Sequence, residues 1–248
     1  MNRVHICLLL IAAALIIVTV YNNHKARGEI IDFVGDSSDS LASMLVFNQI
    51  QSRADKVIHL GDMTYGNPFQ TYIDTYGTLN DKCVTGNHSP DTTRKYCGTS
   101  WKLKTGSTLI IGLDTEGNFA NQLKNVSSWK STTGVSTVII ATHRPLEKIE
   151  TTATYPTGLY DFAEDVKDIF PNAYYISGHK HIMSYTTKYS EKMYISGAGG
   201  ASHEGCRINI WKFCNDVDFG FLEFNTTGTI IPKFYDSDGK MVYNSDAK

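Results

Sequence analysis

The sequence predicts an α/β sandwich with mixed sheets. Between residues 29 and 196, short apolar or β-branched runs alternate with longer segments whose apolar residues recur at helical spacing. Toward the C-terminus, two strand-like runs flank a turn sequence, a pattern typical of an antiparallel hairpin. Polar residues repeatedly follow the predicted strands, and open α/β sheets place their functional sites at strand ends. With 248 residues, the chain fits one large domain better than two.

Each element is predicted from its own run of residues. Short apolar or β-branched runs predict strands at 29–34, 56–60, 109–113, 137–141, 173–177 and 193–196. Helical spacing predicts helices at 40–53, 118–131 and 160–170. Asp39 or Ser40 is expected to cap the first helix, and Pro171 follows the last. Residues 219–224 and 229–235 are predicted to form the hairpin around Asn225 to Gly228.

Five short segments place candidate metal ligands directly after strand-like runs, each beside a glycine or a proline. They are residues 35–38, 61–65, 86–88, 141–145 and 178–181, and they supply Asp36, Asp62, Tyr65, Asn87, His143, His179 and His181. Nitrogen and oxygen ligands without thiolate suit iron, zinc or manganese. Seven ligands are too many for one tetrahedral zinc ion, but they fit two ions that share a bridging carboxylate. Two such ions can clamp a phosphoryl group between them.

Each of these residues alone also has a structural interpretation. An aspartate after a strand is commonly a turn or cap residue, a tyrosine such as Tyr65 commonly packs half-buried, and a single histidine is commonly part of a core. The five segments together, in this order, favour a metal site over five unrelated structural roles.

The five segments resemble the signature blocks of the metallophosphoesterases. Tyr65 within Gly-Asp-x-x-Tyr is similar to the purple acid phosphatase branch of that superfamily. Further similarity covers residues 122–129 and 194–200, Tyr185, and the closing segment from Gly220, so the resemblance extends over about residues 29–240. It implies a four-layer α/β/β/α metallophosphoesterase sandwich of two mixed sheets. It also implies hydrolysis of phosphate esters at a dinuclear metal site.

Residue by residue, the resemblance implies two ligand sets. The first ion, usually ferric iron, is held by Asp36, Tyr65 and His181. The second, a divalent iron, zinc or manganese ion, is held by Asn87, His143 and His179. Asp62 bridges both ions and is counted with His88 as catalytic. Asn87 and His88 contact the substrate phosphate, and His88 protonates the leaving oxygen.

Four other polar residues lie in or near these segments. Ser38 stands where metallophosphoesterases usually carry histidine or, in the purple acid phosphatase branch, glycine, and this leaves open which metal occupies the first position. His59 is expected to be a core or supporting residue, and His203 to lie in a solvated loop or line the pocket. Arg144 either binds phosphate or pairs with a local carboxylate.

Three functions compete. The leading hypothesis is an acid phosphatase that cleaves monoesters of a phosphorylated small molecule or phosphoprotein. A phosphodiesterase or nucleotide hydrolase of the same superfamily is the nearest alternative, because loops set the leaving-group side. A membrane-tethered, inactive binding protein is the third, although none of the seven ligands is missing. A formal net charge of −2 without a basic run gives no indication of a nucleic-acid partner.

The N-terminus carries an uncharged apolar run at residues 6–21. Sixteen residues at 1.5 Å rise cover about 24 Å, between a signal-peptide segment and a helix that spans a core of roughly 30 Å. We expect residues 1–28 to be a signal anchor or signal peptide, with an uncleaved anchor favoured, and 29–248 to be the catalytic domain. A buried core helix is the remaining alternative. The chain is therefore expected to be exported, either membrane-anchored or secreted.

Cysteine usage is compatible with export. Four cysteines follow the apolar run, and the pairing local in sequence joins Cys83 to Cys97 and Cys206 to Cys214, with free buried thiols as the alternative. The Asn-x-Ser/Thr patterns that begin at Asn125 and Asn225 are candidate glycosylation acceptors.

Overall fold

The computed structural model describes residues 28–65, 68–149, 154–188, 192–206, 209–226 and 230–245. The apolar run at 6–21 and its predicted role as an anchor lie outside these residues. Within the described ranges, no helix is both long and apolar enough to span a bilayer.

Two mixed sheets form the body of the protein. Their strands are β1 (Ile30–Val34), β2 (Lys56–His59), β3 (Lys82–Cys83), β4 (Ser100–Thr105), β5 (Thr108–Leu113), β6 (Thr137–Thr142), β7 (Tyr174–Ser177), β8 (Met183–Thr186), β9 (Lys192–Ser196), β10 (Phe213–Asn215), β11 (Gly220–Asn225), β12 (Lys233–Asp236) and β13 (Met241–Asn244). The first sheet has the order β13-β12-β11-β1-β2-β3, and the second β10-β8-β9-β7-β6-β5-β4. Each sheet combines parallel and antiparallel pairs, which confirms the predicted mixed sheets.

Five α-helices cover the sheets within the described residues: α1 (Leu41–Arg53), α2 (Phe69–Tyr76), α3 (Asp91–Cys97), α4 (Phe119–Trp129) and α5 (Leu159–Ile169). A short 3₁₀ turn, Gly77–Leu79, follows α2. Of the two cap residues expected for α1, Ser40 has this role, because its side chain accepts a hydrogen bond from Ser43 N at 3.2 Å.

The layers follow from which side chains are buried together. Alternate residues of a strand face opposite sides, so Ile31 and Phe33 of β1 meet Ile110 and Ile139 of the second sheet in a central core. Val34 faces the other way and packs in an outer core between the first sheet and helices α1 and α2. A second outer core joins the second sheet to α4 and α5. The order is therefore α/β/β/α, as the resemblance implied.

The C-terminal hairpin is also confirmed, since β11 pairs antiparallel with β12 from Gly220 opposite Asp236. The turn residues 227–229 lie outside the described residues. The second strand begins later than predicted, after Pro232, whose ring nitrogen has no hydrogen to donate to the ladder. The strands β3, β4, β8, β10 and β13 and the helices α2 and α3 were not predicted.

Both predicted disulfides are present. Cys83 is joined to Cys97 with a Cα–Cα distance of 5.1 Å, and Cys206 to Cys214 with 6.1 Å. The alternative of free thiols is therefore wrong for these four cysteines. Of the candidate glycosylation acceptors, Asn125 is exposed on α4, while Thr227 of the second pattern is outside the described residues. Glycosylation remains a prediction.

Candidate metal centre

The five predicted segments meet at one edge, where the carboxyl ends of both sheets come together. Asp36, Asp62 and Asn87 follow β1, β2 and β3 of the first sheet, whereas His143 and His179 follow β6 and β7 of the second. Backbone hydrogen bonds join the loops: Asp36 N donates to Gly61 O at 3.0 Å, and Gly35 N to Ser196 O at 2.8 Å. Parallel neighbours end at the same edge, which explains why distant segments converge here.

Backbone strain is concentrated on the predicted ligands. Asp36, Asp62 and His179 have φ values of 57°, 51° and 69°, in the left-handed region, and among the described non-glycine residues only Asn118 shares this property. Such conformations cost on the order of 1–3 kcal/mol each and persist when surrounding contacts over-determine them. Three such residues at one edge indicate that the loops are built to direct these side chains.

Two glycines leave room for the carboxylates. A Cβ on Gly86 would lie 2.0 Å from Asp62 Oδ1, and one on Gly178 would lie 2.5 Å from Asp36 Oδ2. Glycine allows the backbone to turn sharply at these strand ends. The structure adds close approach of the backbone to the aspartates as a second reason.

Tyr65 lies at the centre of the first predicted ligand set. Its hydroxyl oxygen is 3.0 Å from Asp36 Oδ1, 2.8 Å from His181 Nε2 and 3.2 Å from Asp62 Oδ2. His181 Nδ1 is 2.6 Å from Ser202 O. A carbonyl oxygen can only accept, so Nδ1 carries the hydrogen, and Nε2 faces the carboxylates and the phenol.

His143 and Asn87 belong to the second predicted set. His143 Nε2 is 2.9 Å from Asn87 Oδ1 and 3.4 Å from Asp62 Oδ2, while His143 Nδ1 donates to Leu60 O at 2.9 Å. One ligand atom from each of Asp36, Asp62 and His143 lies within 4.8 Å of the others, and all three residues are buried. Converging oxygen and nitrogen atoms in a buried carboxylate site fit a cation.

His179 is brought to the same site, but its ring has a different neighbour. Its backbone N–H donates to Asp36 Oδ2 at 2.7 Å, and its ring lies edge-on to His143 with centroids 5.1 Å apart. His179 Nε2 accepts from Arg144 Nη1 at 3.0 Å. The structure thus brings all seven predicted ligands to one edge. Six of them face oxygen or nitrogen atoms of other predicted ligands, whereas the ring of His179 is bound by the guanidinium of Arg144.

Comparison with known proteins identifies the family. The sequence model of the calcineurin-like phosphoesterase family matches residues 31–183. The chain belongs to this family. The resemblance to metallophosphoesterases is thereby confirmed. A sequence comparison with curated proteins finds no match.

Three solved structures illustrate the fold. A purple acid phosphatase from yellow lupin (Lupinus luteus) has a TM-score of 0.68 and 16% identity, over 87% of this chain but only 53% of the lupin chain. GAP50, described as the anchor in the inner membrane complex of Plasmodium, has a TM-score of 0.67 and 17% identity, with 87% of each chain covered. A dimetal phosphatase from Danio rerio has a TM-score of 0.61 and 11% identity, over 88% and 98% of the chains. These likenesses show a shared fold.

The protonation of the calcineurin-like site is set by burial and by the charges inside it. Burial raises the pKa of Asp36. Burial also acts to raise the pKa of Asp62, but the positive charge of His143 and the N–H of His88 outweigh it, so this pKa lies well below its usual range. Burial and the two carboxylates raise the pKa of the Tyr65 phenol. A bound cation would reverse that effect and favour the phenolate.

His88 is exposed at the rim of the site. Its ring centroid is 5.3 Å from that of Tyr65, and its backbone N–H donates to Asp62 Oδ1 at 2.9 Å. The side chain is therefore free to meet a molecule that enters from solvent, as the predicted contact with substrate requires.

The other polar residues have supporting roles. His59 is fully buried and lies 2.9 Å from Ser37 Oγ, so the structural interpretation holds. Ser38 Oγ donates to Gly200 O at 3.1 Å and thus binds backbone. His203 is half-buried and stacks on Phe219 with centroids 4.1 Å apart.

The sequence left open whether Arg144 binds phosphate or pairs with a carboxylate. In the structure it pairs with the carboxylate of Glu116 at 2.7 Å. Glu116 was not predicted as part of the site. It follows β5 at the same edge of the sheet, in a loop whose Asp114 is held by the buried side chain of Gln122. The rule that polar residues at strand ends mark sites applies to Glu116 as well, and could have found it.

Proposed function

We propose that this chain hydrolyses phosphate monoesters at a site that holds two metal ions. The proposed ligands are Asp36, Tyr65 and His181 for the first ion, Asn87, His143 and His179 for the second, and Asp62 for both. The observation that supports this best is the Tyr65 hydroxyl, which lies within 3.2 Å of two carboxylates and an imidazole in a site where both aspartates are buried. A phenol in that position is the feature that favours the acid phosphatase branch.

Two bound ions would neutralise phosphoryl oxygens and lower the pKa of an attacking water. The side chains of the site do the rest. Asp36 and Asp62 are fixed by the backbone N–H groups of His179 and His88, at 2.7 and 2.9 Å, so that both are oriented before substrate arrives. The exposed imidazole of His88 lies beside Tyr65 and is placed to donate a proton to the leaving oxygen. The Asn87 amide N–H groups would donate to a phosphate oxygen.

The proposed cofactors are ferric iron with tyrosinate and a divalent iron, zinc or manganese ion. The first test is a metal analysis and visible spectrum of the full chain, purified in mild detergent without chelator. Two metals per chain, including iron, with a broad visible absorption band, would support tyrosinate on ferric iron. Two metals without colour would favour zinc or manganese. A folded protein that binds no metal would contradict the proposal and favour a tethered binding protein.

The substrate class needs a separate assay. We expect turnover of an aryl phosphate monoester to exceed that of the matching diester. We also expect phosphate to be released from phosphorylated small molecules or phosphopeptides, which are monoesters. Faster turnover of the diester would favour the phosphodiesterase or nucleotide-hydrolase alternative.

Export is proposed on the basis of the two disulfides, since such bonds persist in oxidising compartments. We further propose that residues 1–28 anchor the catalytic domain to a membrane. Mass spectrometry of the mature N-terminus tests this, because a chain that begins near residue 28 would be a secreted product instead.

A further inference from the structure

The three histidines of the proposed site differ in what their rings contact. His143 and His181 donate Nδ1–H to the carbonyl oxygens of Leu60 and Ser202, at 2.9 and 2.6 Å. Metal-binding histidines commonly donate their outer N–H in this way, which fixes the tautomer and makes the ring a better ligand. Nε2 of both rings then faces the site, where its lone pair becomes available to an ion when the ring is neutral.

The ring of His179 contacts a hydrogen-bond donor on its Nε2 atom. A guanidinium has only N–H donors, so Arg144 Nη1 donates to His179 Nε2 at 3.0 Å. A neutral imidazole has one nitrogen lone pair, and in His179 this pair is already used by Arg144. A metal ion needs that pair, whichever ring nitrogen it binds.

Arg144 is held firmly in this position. Its Nε and Nη2 donate to the two carboxylate oxygens of Glu116, at 2.7 and 3.4 Å, which leaves Nη1 directed at His179. The Arg144 side chain is only 9% exposed, and its backbone N–H donates to Thr115 Oγ at 3.0 Å. Arg144 is therefore a buried, doubly anchored group.

We propose that Arg144 competes with the second ion for the lone pair of His179. The inference rests on the proposed two-ion function and extends it to the order of loading: the first ion binds tightly, and the second binds weakly because it must displace Arg144. Arg144 is thus a positioning residue that sets how much of the second site is filled at a given metal concentration.

The competition for the lone pair of His179 can be separated experimentally from charge repulsion between Arg144 and the second ion. Glu116 offsets the charge of Arg144, so replacing both as E116Q/R144Q leaves the net charge unchanged while it removes the guanidinium from His179. The matched control is K180Q/E204Q. Lys180 Nζ and Glu204 Oε2 form another ion pair at 2.7 Å, and Lys180 is the residue after His179.

The experiment titrates the full chain, stripped of metal and in detergent, with Zn²⁺ alone by calorimetry, and counts bound zinc by mass spectrometry. In the wild type, we expect a tight step and a weaker step. In E116Q/R144Q, the second dissociation constant should fall about 10–100-fold, the range found for outer partners of metal ligands, and the first should stay unchanged. K180Q/E204Q should leave the second step unchanged.

Different outcomes overturn different claims. An unchanged second step in an E116Q/R144Q protein that still binds two ions overturns the competition but leaves the proposed function intact. A wild type that binds no zinc overturns both. If the double variant does not fold, the wild type decides: the guanidinium NMR signal of Arg144, assigned with R144K, should shift with the second equivalent of zinc and not with the first. A shift with the first equivalent, or none, contradicts the inference.

Discussion

The two halves of the proposed metal centre differ in how their proposed ligands are supported. On the first side, His181 is oriented by a carbonyl group, and Tyr65 lies between two carboxylates. On the second side, His143 has similar support, but His179 is bound by Arg144. A ligand set that is complete in sequence can therefore be unequal in strength, because the groups around each ligand decide how available its lone pair is.

Asp62 belongs to both halves, and its substitution should have the largest effect. D62N removes the charge that lies 3.4 Å from His143 Nε2 and 3.2 Å from the Tyr65 hydroxyl. We expect both ions to be lost and phosphatase turnover to fall by about 10³-fold or more. Metal counts and turnover of an aryl phosphate measure this. The exposed aspartate at the start of α3 gives a control, D91N. A D62N protein that keeps both ions would contradict a bridging role.

Removing one histidine from each half compares the two sides directly. H181A should weaken the first ion by about 100-fold, whereas H179A should weaken the second by only about tenfold, since Arg144 already reduces the contribution of His179. Zinc titration of both variants, followed step by step, gives the two ratios. An H179A loss as large as that of H181A would show that the lone pair of His179 is fully available, against the proposed inequality.

The convergence of the proposed ligands of both halves could be predicted from the sequence, because their segments each follow a strand run and contain a glycine or a proline. The same holds for the central strands and for α1, α4 and α5, whose hydrophobic patterns are long enough to recognise. Strands of two or three residues, such as β3 and β10, carry no periodic signal. These edge strands could not be predicted for that reason.

The unequal support of the second half could not be predicted. Glu116 and Arg144 are separated by 28 positions and meet only because β5 and β6 pair in parallel and end together. Whether Arg144 contacts a carboxylate, an imidazole or a phosphate depends on that register. Residue types alone leave all three open, and the sequence pointed only to phosphate or a carboxylate.

The two disulfides provide a test of whether the two halves are supported by separate loops. Cys83 lies four residues before Asn87 in the second half, and Cys206 lies four residues after Ser202, which supports His181 in the first. We expect C83S/C97S to weaken mainly the second ion and C206S/C214S mainly the first, each several-fold, with a stability loss of about 2–4 kcal/mol. Each variant is the control for the other. Weakening of the same ion in both would mean that the loops are not supported separately.

The last prediction has the smallest expected effect, and it compares two buried carboxylates that are four residues apart. Asp36, at the end of β1, accepts hydrogen bonds from the site, whereas neither oxygen of Asp32, within β1, has a hydrogen-bond partner among the described residues. Asp32 lies opposite Glu223 of the antiparallel strand β11. Burial, and next the negative charge of Glu223, raise the pKa of Asp32 well above its usual range, and the nearby Arg53 only partly offsets this.

An acid whose pKa is raised on folding stabilises the protein fully below its unfolded pKa, and this stability is lost as pH rises toward the folded pKa. D32N cannot ionise, so its unfolding free energy relative to the wild type should increase with pH above about 4, by at most about 1.4 kcal/mol per pH unit. Thermal melts at several pH values measure this as a difference of a few degrees. The exposed Asp168 supplies the matched control, D168N, which is measured in the same melts. A D32N difference that shrinks as pH rises would mean that Asp32 is ionised in the folded protein and has a partner of opposite charge, as the carboxylates of the metal centre are proposed to have.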